Sequence, residues 1–306
     1  MTQANLNRVM DTFEYLEPTI RVKKRRPNNW EELVYPNFVP STAKTVAHIT
    51  LDHNGRASEI TGKEGEKLDA VGFSTRKDEI EVVDIGFSLN FDLQDEKAML
   101  QGDVNPMEQK INAAFLMERL TIFNIVVNGG GFRGMTGFSN AEAGKETGQI
   151  RAFTTPTTKW TASGITGDSI LDDLNRLYNG IGENTDGVSP ANTMFIPLQA
   201  LQVARTKKIA NSSDSALRVF LESVQDATGQ PFLVRQNQAF ENDIFMGSYG
   251  EDFARINIAQ TLLFGDIQTD GWGYKIPCRI AVSGLELLDS FAFGRMNGVI
   301  APAATP

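Results

Sequence analysis

The chain has 306 residues, of which 41% are hydrophobic and 22% charged. That is ordinary globular composition, enough for one large core or two modest ones, and no apolar run approaches the ~20 residues of a membrane helix. A net charge of −9 argues against a tight sequence-reading nucleic-acid binder, and a single cysteine, Cys278, excludes an internal disulfide frame and suits a reducing cytoplasm.

The first twenty residues are polar and acidic enough to argue against a signal peptide. Leu6, Val9, Met10, Phe13 and Leu16 give them a weak helical face. A basic run follows, with Arg21, Lys23, Lys24, Arg25 and Arg26 closed by Pro27. Its plain reading is a solvated strand or linker; the sharper readings are contact with an acidic neighbouring subunit or with nucleic-acid phosphates. Pro27, Pro36 and Pro40 keep the next stretch extended. Residues 1–44 read as an arm lying over a surface.

From residue 46 the pattern turns to β. A short strand over 46–51 precedes a polar, glycine-dotted segment, then a strand over 71–75 and a turn at 76–78. A long strand from Glu79 alternates Ile85, Phe87, Leu89, Phe91 and Leu93 with Gly86, Ser88, Asn90 and Asp92. Over 80–93 it would span roughly 45 Å, against ~17–20 Å for a typical strand. A hairpin that long outruns a compact core, so its tip projects.

Residues 107–127 (MEQKINAAFLMERLTIFNIVV) read as one long helix, with Pro106 suited to its first turn and Asn105 placed to cap. Ile111, Phe115, Ile122 and Val126 form one apolar stripe; Leu116, Leu120, Phe123 and Val127 form another. Two stripes predict packing on two sides. Gly129, Gly130 and Gly131 end the helix. Glycine-rich loops cradle phosphates when they follow a strand and open a helix. Here they close one, so a structural turn is the better reading.

A second helix spans 166–181, with Ile170, Leu171, Leu174, Leu177, Tyr178 and Ile181 on one face. Asp172 and Asp173 on it read as a solvated face. A strand over 192–196, a helix opened by Pro197, a helix capped by Ser213, and strands over 232–234 and 244–246 complete a compact α/β unit at roughly 165–254. Two strands at 253–264 and 272–283 flank a turn over 266–271, and 285–293 continues them. The tail after Val299 reads as loose.

A catalytic site leaves a local signature in the sequence. The two histidines, His48 and His53, lie in a β region without the further ligands of a metal site. Cys278 sits in an apolar strand, where a buried inert thiol is expected. No Ser–His–acid grouping emerges, and the nineteen phenylalanines are not interleaved with Lys and Arg as single-strand binding requires. The expectation is therefore no catalytic, cofactor-binding or metal residue, no cofactor, and a non-enzyme.

The order of elements resembles the major capsid proteins of tailed bacteriophages with the Hong Kong 97 fold. EIEVVDIGFSLNFDLQD resembles the returning strand of that family's extended loop, and MEQKINAAFLMERLTIFNIVVNG its spine helix. GGGFRGMTGFSN, SILDDLNRLYNGI followed by NTMFIPLQALQVA, and the closing strands from Ile256 are similar to its later segments. The resemblance covers about residues 45–299. It implies an α+β fold divided into an N-terminal arm (1–44), an extended loop (45–92), a peripheral domain with the spine helix (93–164), an axial domain (165–254), and return strands with the tail (255–306).

It further implies a subunit of a virion shell, assembled in the host cytoplasm, with pentamers and hexamers enclosing double-stranded DNA. The implied partners are copies of the chain itself, and scaffold, portal and decoration proteins. The family's lysine–asparagine cross-link does not transfer, because neither Lys63 nor Lys67 matches the required position. Alternatives are an encapsulin compartment, a soluble enzyme with a scattered site, and a binder of nucleic acid through the basic arm.

Overall fold

The computed structural model describes residues 29–54, 72–91, 106–132, 135–140, 150, 152–210, 212–236, 240, 242–270 and 273–300. The first helical pattern, the basic run from Arg21 to Arg26, Lys63, Lys67 and the tail after residue 300 lie outside these residues.

A 3-10 turn at Trp30–Glu32 leads into β1 (Tyr35–Phe38), β2 (Thr45–Asn54) and β3 (Gly72–Phe91). The expected turn at 76–78 is absent: β3 runs unbroken for 20 residues, roughly 65 Å at the usual rise. Lys77 and Asp78 suggest a turn by composition, but both are held in register opposite Ile49 and His48 of β2. Cross-strand pairing decides over local preference.

Helix α1 (Pro106–Asn128) follows, then β4 (Ala152–Thr154), α2 (Gly167–Asn184), β5 (Thr193–Ile196), α3 (Leu198–Thr206) and α4 (Ala216–Thr228). Strands β6 (Leu233–Gln236), β7 (Ile244–Gly247), β8 (Ala254–Phe264), β9 (Gln268–Asp270), β10 (Gly273–Leu287) and β11 (Phe293–Met296) complete the chain. Two caps are clear: the Thr166 side chain accepts from Ser169 N at 3.3 Å, and Ser215, not Ser213, accepts from Arg218 N at 3.4 Å. Ser213 instead lies in the bend before Ser215. The anticipated turn at 266–271 contains β9, and the continuation past Leu285 breaks at Leu287. There a 3-10 turn at Ser290–Ala292 passes the chain to a second sheet.

The larger sheet has the order β1-β8-β10-β3-β2, with β9 paired to β10. Its two longest strands pair antiparallel from Tyr274↔Phe91 to Ser283↔Val82. Helix α1 packs across β10, β3 and β8. Ile122, Ile125, Val126 and Val127 meet Ile85, Ile256, Ile280 and Val282 there. The two-stripe expectation holds only for this C-terminal half. In the other half Phe115, Leu116 and Met117 stay exposed, because the sheet below them narrows to the ends of β3, β8 and β10. Trp30, Leu33 and Val34 also enter this core, so the last part of segment 1–44 is interior structure, not a surface arm.

The smaller sheet has the order β4-β11-β7-β5-β6 and takes β4 and β11 from outside residues 165–254. Its alternation serves two cores. Phe195, Phe245 and Phe293 face the α1 core. Met194, Ile196, Ile244, Met246 and Met296 face a second core closed by Ile170, Leu174, Leu177 and Phe220 of α2 and α4. Both faces are therefore buried, which explains the uninterrupted apolar strands.

The turn after α1 uses its glycines as expected. Gly129, Gly130 and Gly131 have φ of 71°, 62° and 72°, and a Cβ on Gly129 would collide with the Met135 carbonyl.

Candidate assembly surface

Ligand clefts usually enclose ~300–1,000 Å³. The cavity lined by Leu33, Phe138, Phe245 and Phe293 holds only about 10 Å³, a packing gap between aromatic rings. Among the described residues no cluster of His, Cys, Asp and Glu could hold a metal ion. Cys278 is buried, and burial pushes its thiol up from the ordinary value. That makes it a poor nucleophile.

Asp173 departs from the solvated reading. Asp172 is exposed, but Asp173 is fully buried. One Asp173 oxygen accepts from Thr157 N and Oγ1, both at 3.0 Å, and from Arg176 at 2.9 Å. The other accepts from Trp160 Nε1 at 3.0 Å. The carboxylate pins the Thr-rich stretch onto α2 and has no face free for chemistry.

The surfaces that stand out are elsewhere. Residues 82–91 of β3 pair with β10, while residues 72–81 pair only with β2. Half of β3 and all of β2 thus leave the sheet as a two-stranded ribbon, and isolated ribbons are marginal in water. Ile49 and Phe73 lie on one face of this ribbon, 65% and 71% exposed. At the other end of the sheet, Phe115 of α1 and Phe264 of β8 meet edge to face, with ring centroids 6.0 Å apart. Leu116, Met117, Leu263 and Tyr274, in the same parts of the helix and strands, are exposed as well. Patches of this kind mark protein contacts.

The root of the ribbon is polar. Arg255 Nε and Nη2 donate to the Glu286 carboxylate at 2.7 and 3.2 Å, and Asn257 Nδ2 donates at 2.7 Å. His48 Nδ1 of β2 lies 2.6 Å from Glu286 Oε1, and Nε2 lies 3.6 Å from Asp78 Oδ2. Burial pushes the Glu286 carboxyl up, but the hydrogen bonds from Arg255 and Asn257 and the charges of Arg255 and His48 outweigh it. The carboxyl is held below its usual value. His48, weighed in the sequence only as a metal ligand, instead touches the body of the subunit from the ribbon. No sequence spacing links residue 48 to residue 286, so nothing short of the register could have found this contact.

A profile of the family described as "Major capsid protein" matches residues 55–299. The chain belongs to that family. Solved structures agree with it. The capsid of Myoviridae phage XM1 superposes with a TM-score of 0.75 at 14% identity, covering 94% of this chain and 97% of that one. The capsid of a native GTA particle gives 0.65 at 13% identity, over 93% and 94%. Mycobacterium phage Adephagia gives 0.64 at 10% identity, over 100% and 99%. None of the curated proteins compared matches the chain. The capsid protein therefore has the mixed α+β, Hong Kong 97-type fold that its element order resembles. In it the spine helix, the long strand pair and the projecting ribbon are one continuous framework.

Proposed function

We propose that this capsid protein builds an icosahedral, tailed-phage-type shell from pentamers and hexamers, and that the shell encloses double-stranded DNA. The observation that carries the reading is the ribbon: β2 and residues 72–81 of β3 leave the sheet with Ile49 and Phe73 uncovered. A lone subunit gains nothing from that exposure. Copies arranged head to tail around five- and six-fold axes gain a contact repeated at every step.

In this assignment residues 45–92 form the extended loop that reaches an adjacent subunit, and residues 93–164 form the peripheral domain with its spine helix. Residues 165–254 form the axial unit at the capsomer centre, flanked by the segment at 1–44, whose last part enters the α1 core, and by the return strands at 255–306. The acidic chain lines the shell without gluing polyanionic DNA to its wall. Its work is structural, with no catalytic step. Scaffold, portal and decoration proteins would join it during assembly in the host cytoplasm, with the virion as its final location.

Negative-stain microscopy of the purified protein tests this directly. Closed shells are expected, and in infected cells those shells should hold long DNA. Only monomers at every concentration and ionic strength would overturn the shell; a protein cargo in place of DNA would overturn the genome assignment. Deletion of residues 54–67 should leave folded subunits that no longer close into shells.

A further inference from the structure

Charged groups from four strands meet where the ribbon leaves the body. His48 of β2 and Asp78 of β3 stand opposite each other on the ribbon side, and Glu286 of β10 and Arg255 of β8 form the body side. His48 lies between the two acids, with Nδ1 2.6 Å from Glu286 Oε1 and Nε2 3.6 Å from Asp78 Oδ2. The charges beside Asp78 on β3, Lys77 and Glu79, alternate to the other face of that strand and pair with each other. Strand β2 carries no other charge from Thr45 to Leu51. The body side is fixed from behind. Arg255 grips Glu286 with two hydrogen bonds, and Asn257 Nδ2 donates to it at 2.7 Å. Asn257 in turn accepts from Asn37 Nδ2 of β1 at 2.6 Å and donates its main-chain N–H to Ser283 Oγ at 3.1 Å. Glu286 therefore presents its carboxylate at a set place, and the ribbon has to come to it.

The charges decide what His48 contributes. Asp78 and Glu286 bring two negative charges and Arg255 one positive. A charged imidazole balances this group, and a neutral one leaves an excess negative charge. A neutral imidazole also has a single N–H, so the nitrogen without the proton turns a lone pair toward a carboxylate. Both ring nitrogens and Asp78 Oδ2 are shielded from solvent, so water does not relieve that opposition.

We infer that His48 is a proton-operated latch that sets how firmly the ribbon is held against the body of its own subunit. With the proton on, both ring nitrogens donate and tie β2 to Glu286. With the proton off, the tie loosens and the ribbon swings about the point near Val82 where β3 leaves β10. Imidazole is the side chain that ordinarily changes charge between about pH 5 and pH 8. Firm holding therefore belongs to the acid side of that range and release to the alkaline side. Glu286 stays ionised throughout, because its folded-state value lies below the ordinary 4.5. The device acts inside one subunit and does not rest on the shell reading.

The test uses the full chain with one spin label on the ribbon and one on the body, attached through Thr75→Cys and Asp172→Cys at two exposed positions. Cys278 is buried and stays unlabelled. Labelled subunits are diluted into unlabelled protein, so that each measured distance is internal. Pulsed electron resonance should show one narrow distance population at about pH 5.5 and a broad one at about pH 8, the ratio of held to released ribbon falling roughly tenfold. His48→Gln keeps a polar side chain that does not titrate. It should give the broad population at both pH values, with the ratio changing less than about twofold. A distribution without His48→Gln that ignores pH overturns the inference, whether or not that variant folds. A response of the same size in His48→Gln overturns it too, because the pH dependence then belongs to other groups.

Discussion

Trp160 Nε1 donates to the Asp173 carboxylate at 3.0 Å, with both side chains buried. The same carboxylate receives Thr157 N and Thr157 Oγ1. Asp173→Ala strands the buried Trp160 donor away from water, which costs about 1–3 kcal/mol for an unsatisfied buried group. Asp173→Asn keeps one acceptor oxygen and should cost less. Urea unfolding of the two variants measures both; equal stability of Asp173→Ala and wild type would contradict the role assigned to Asp173.

Glu286 makes stability depend on acid. Its folded-state pKa lies below the ordinary 4.5, so the unfolded chain takes up that proton first. Its stabilisation is complete above about pH 4.5 and is lost as pH falls through the lower folded-state value. Glu286→Gln should therefore start less stable at neutral pH, and its stability should fall less steeply as the pH drops below about 4.5. Parallel slopes for the two proteins in that window would show that the Arg255, Asn257 and His48 contacts do not act as described.

The 3-10 turn near the start of the described chain is clasped from two sides. Tyr249 Oη donates to the Glu31 carbonyl at 2.7 Å, Arg235 Nη1 donates to the Glu32 carbonyl at 2.7 Å, and Arg119 Nη2 donates to the Glu31 carboxylate at 3.0 Å. Tyr249→Phe removes one of these bonds, which is worth about 1 kcal/mol. In a chain this long that lowers the melting midpoint by only ~2–4 °C. Arg119→Ala should do less still, because its ion pair is exposed. Calorimetry orders the two.

Cys278 should resist thiol reagents in the folded protein. It is buried in β10, and burial pushes its thiol up, so both access and thiolate fraction are low. Labelling should proceed only as fast as the sheet opens and become quick in denaturant. Fast labelling of native protein would mean that β10 opens far more readily than its pairing with β3 and β8 implies.

The regular elements were legible because their periods are strong. The alternation from Ile85 to Phe91 and the helical spacing of Ile122, Val126 and Val127 both survive in the structure. What was hidden depends on pairing between distant segments. Arg76 to Asp78 reads as a turn until β2 lies beside it. Asp173 reads as a solvent-facing acid until the irregular segment at 157–160 folds onto α2. His48 and Glu286 meet only once β2, β3 and β10 share a sheet. The exposed end of α1 has the same cause: its apolar stripes are regular, but where the sheet ends beneath them is a three-dimensional fact.

Because β3 serves both the ribbon and the body, the subunit has a mechanical character of its own. A pull along the protruding end travels down a single unbroken strand into the ladder from Val82 to Phe91. There it loads every rung at once in shear, as in a lap joint, instead of peeling them one by one. Internal pressure that pushes neighbours apart would meet its stiffest resistance along this axis.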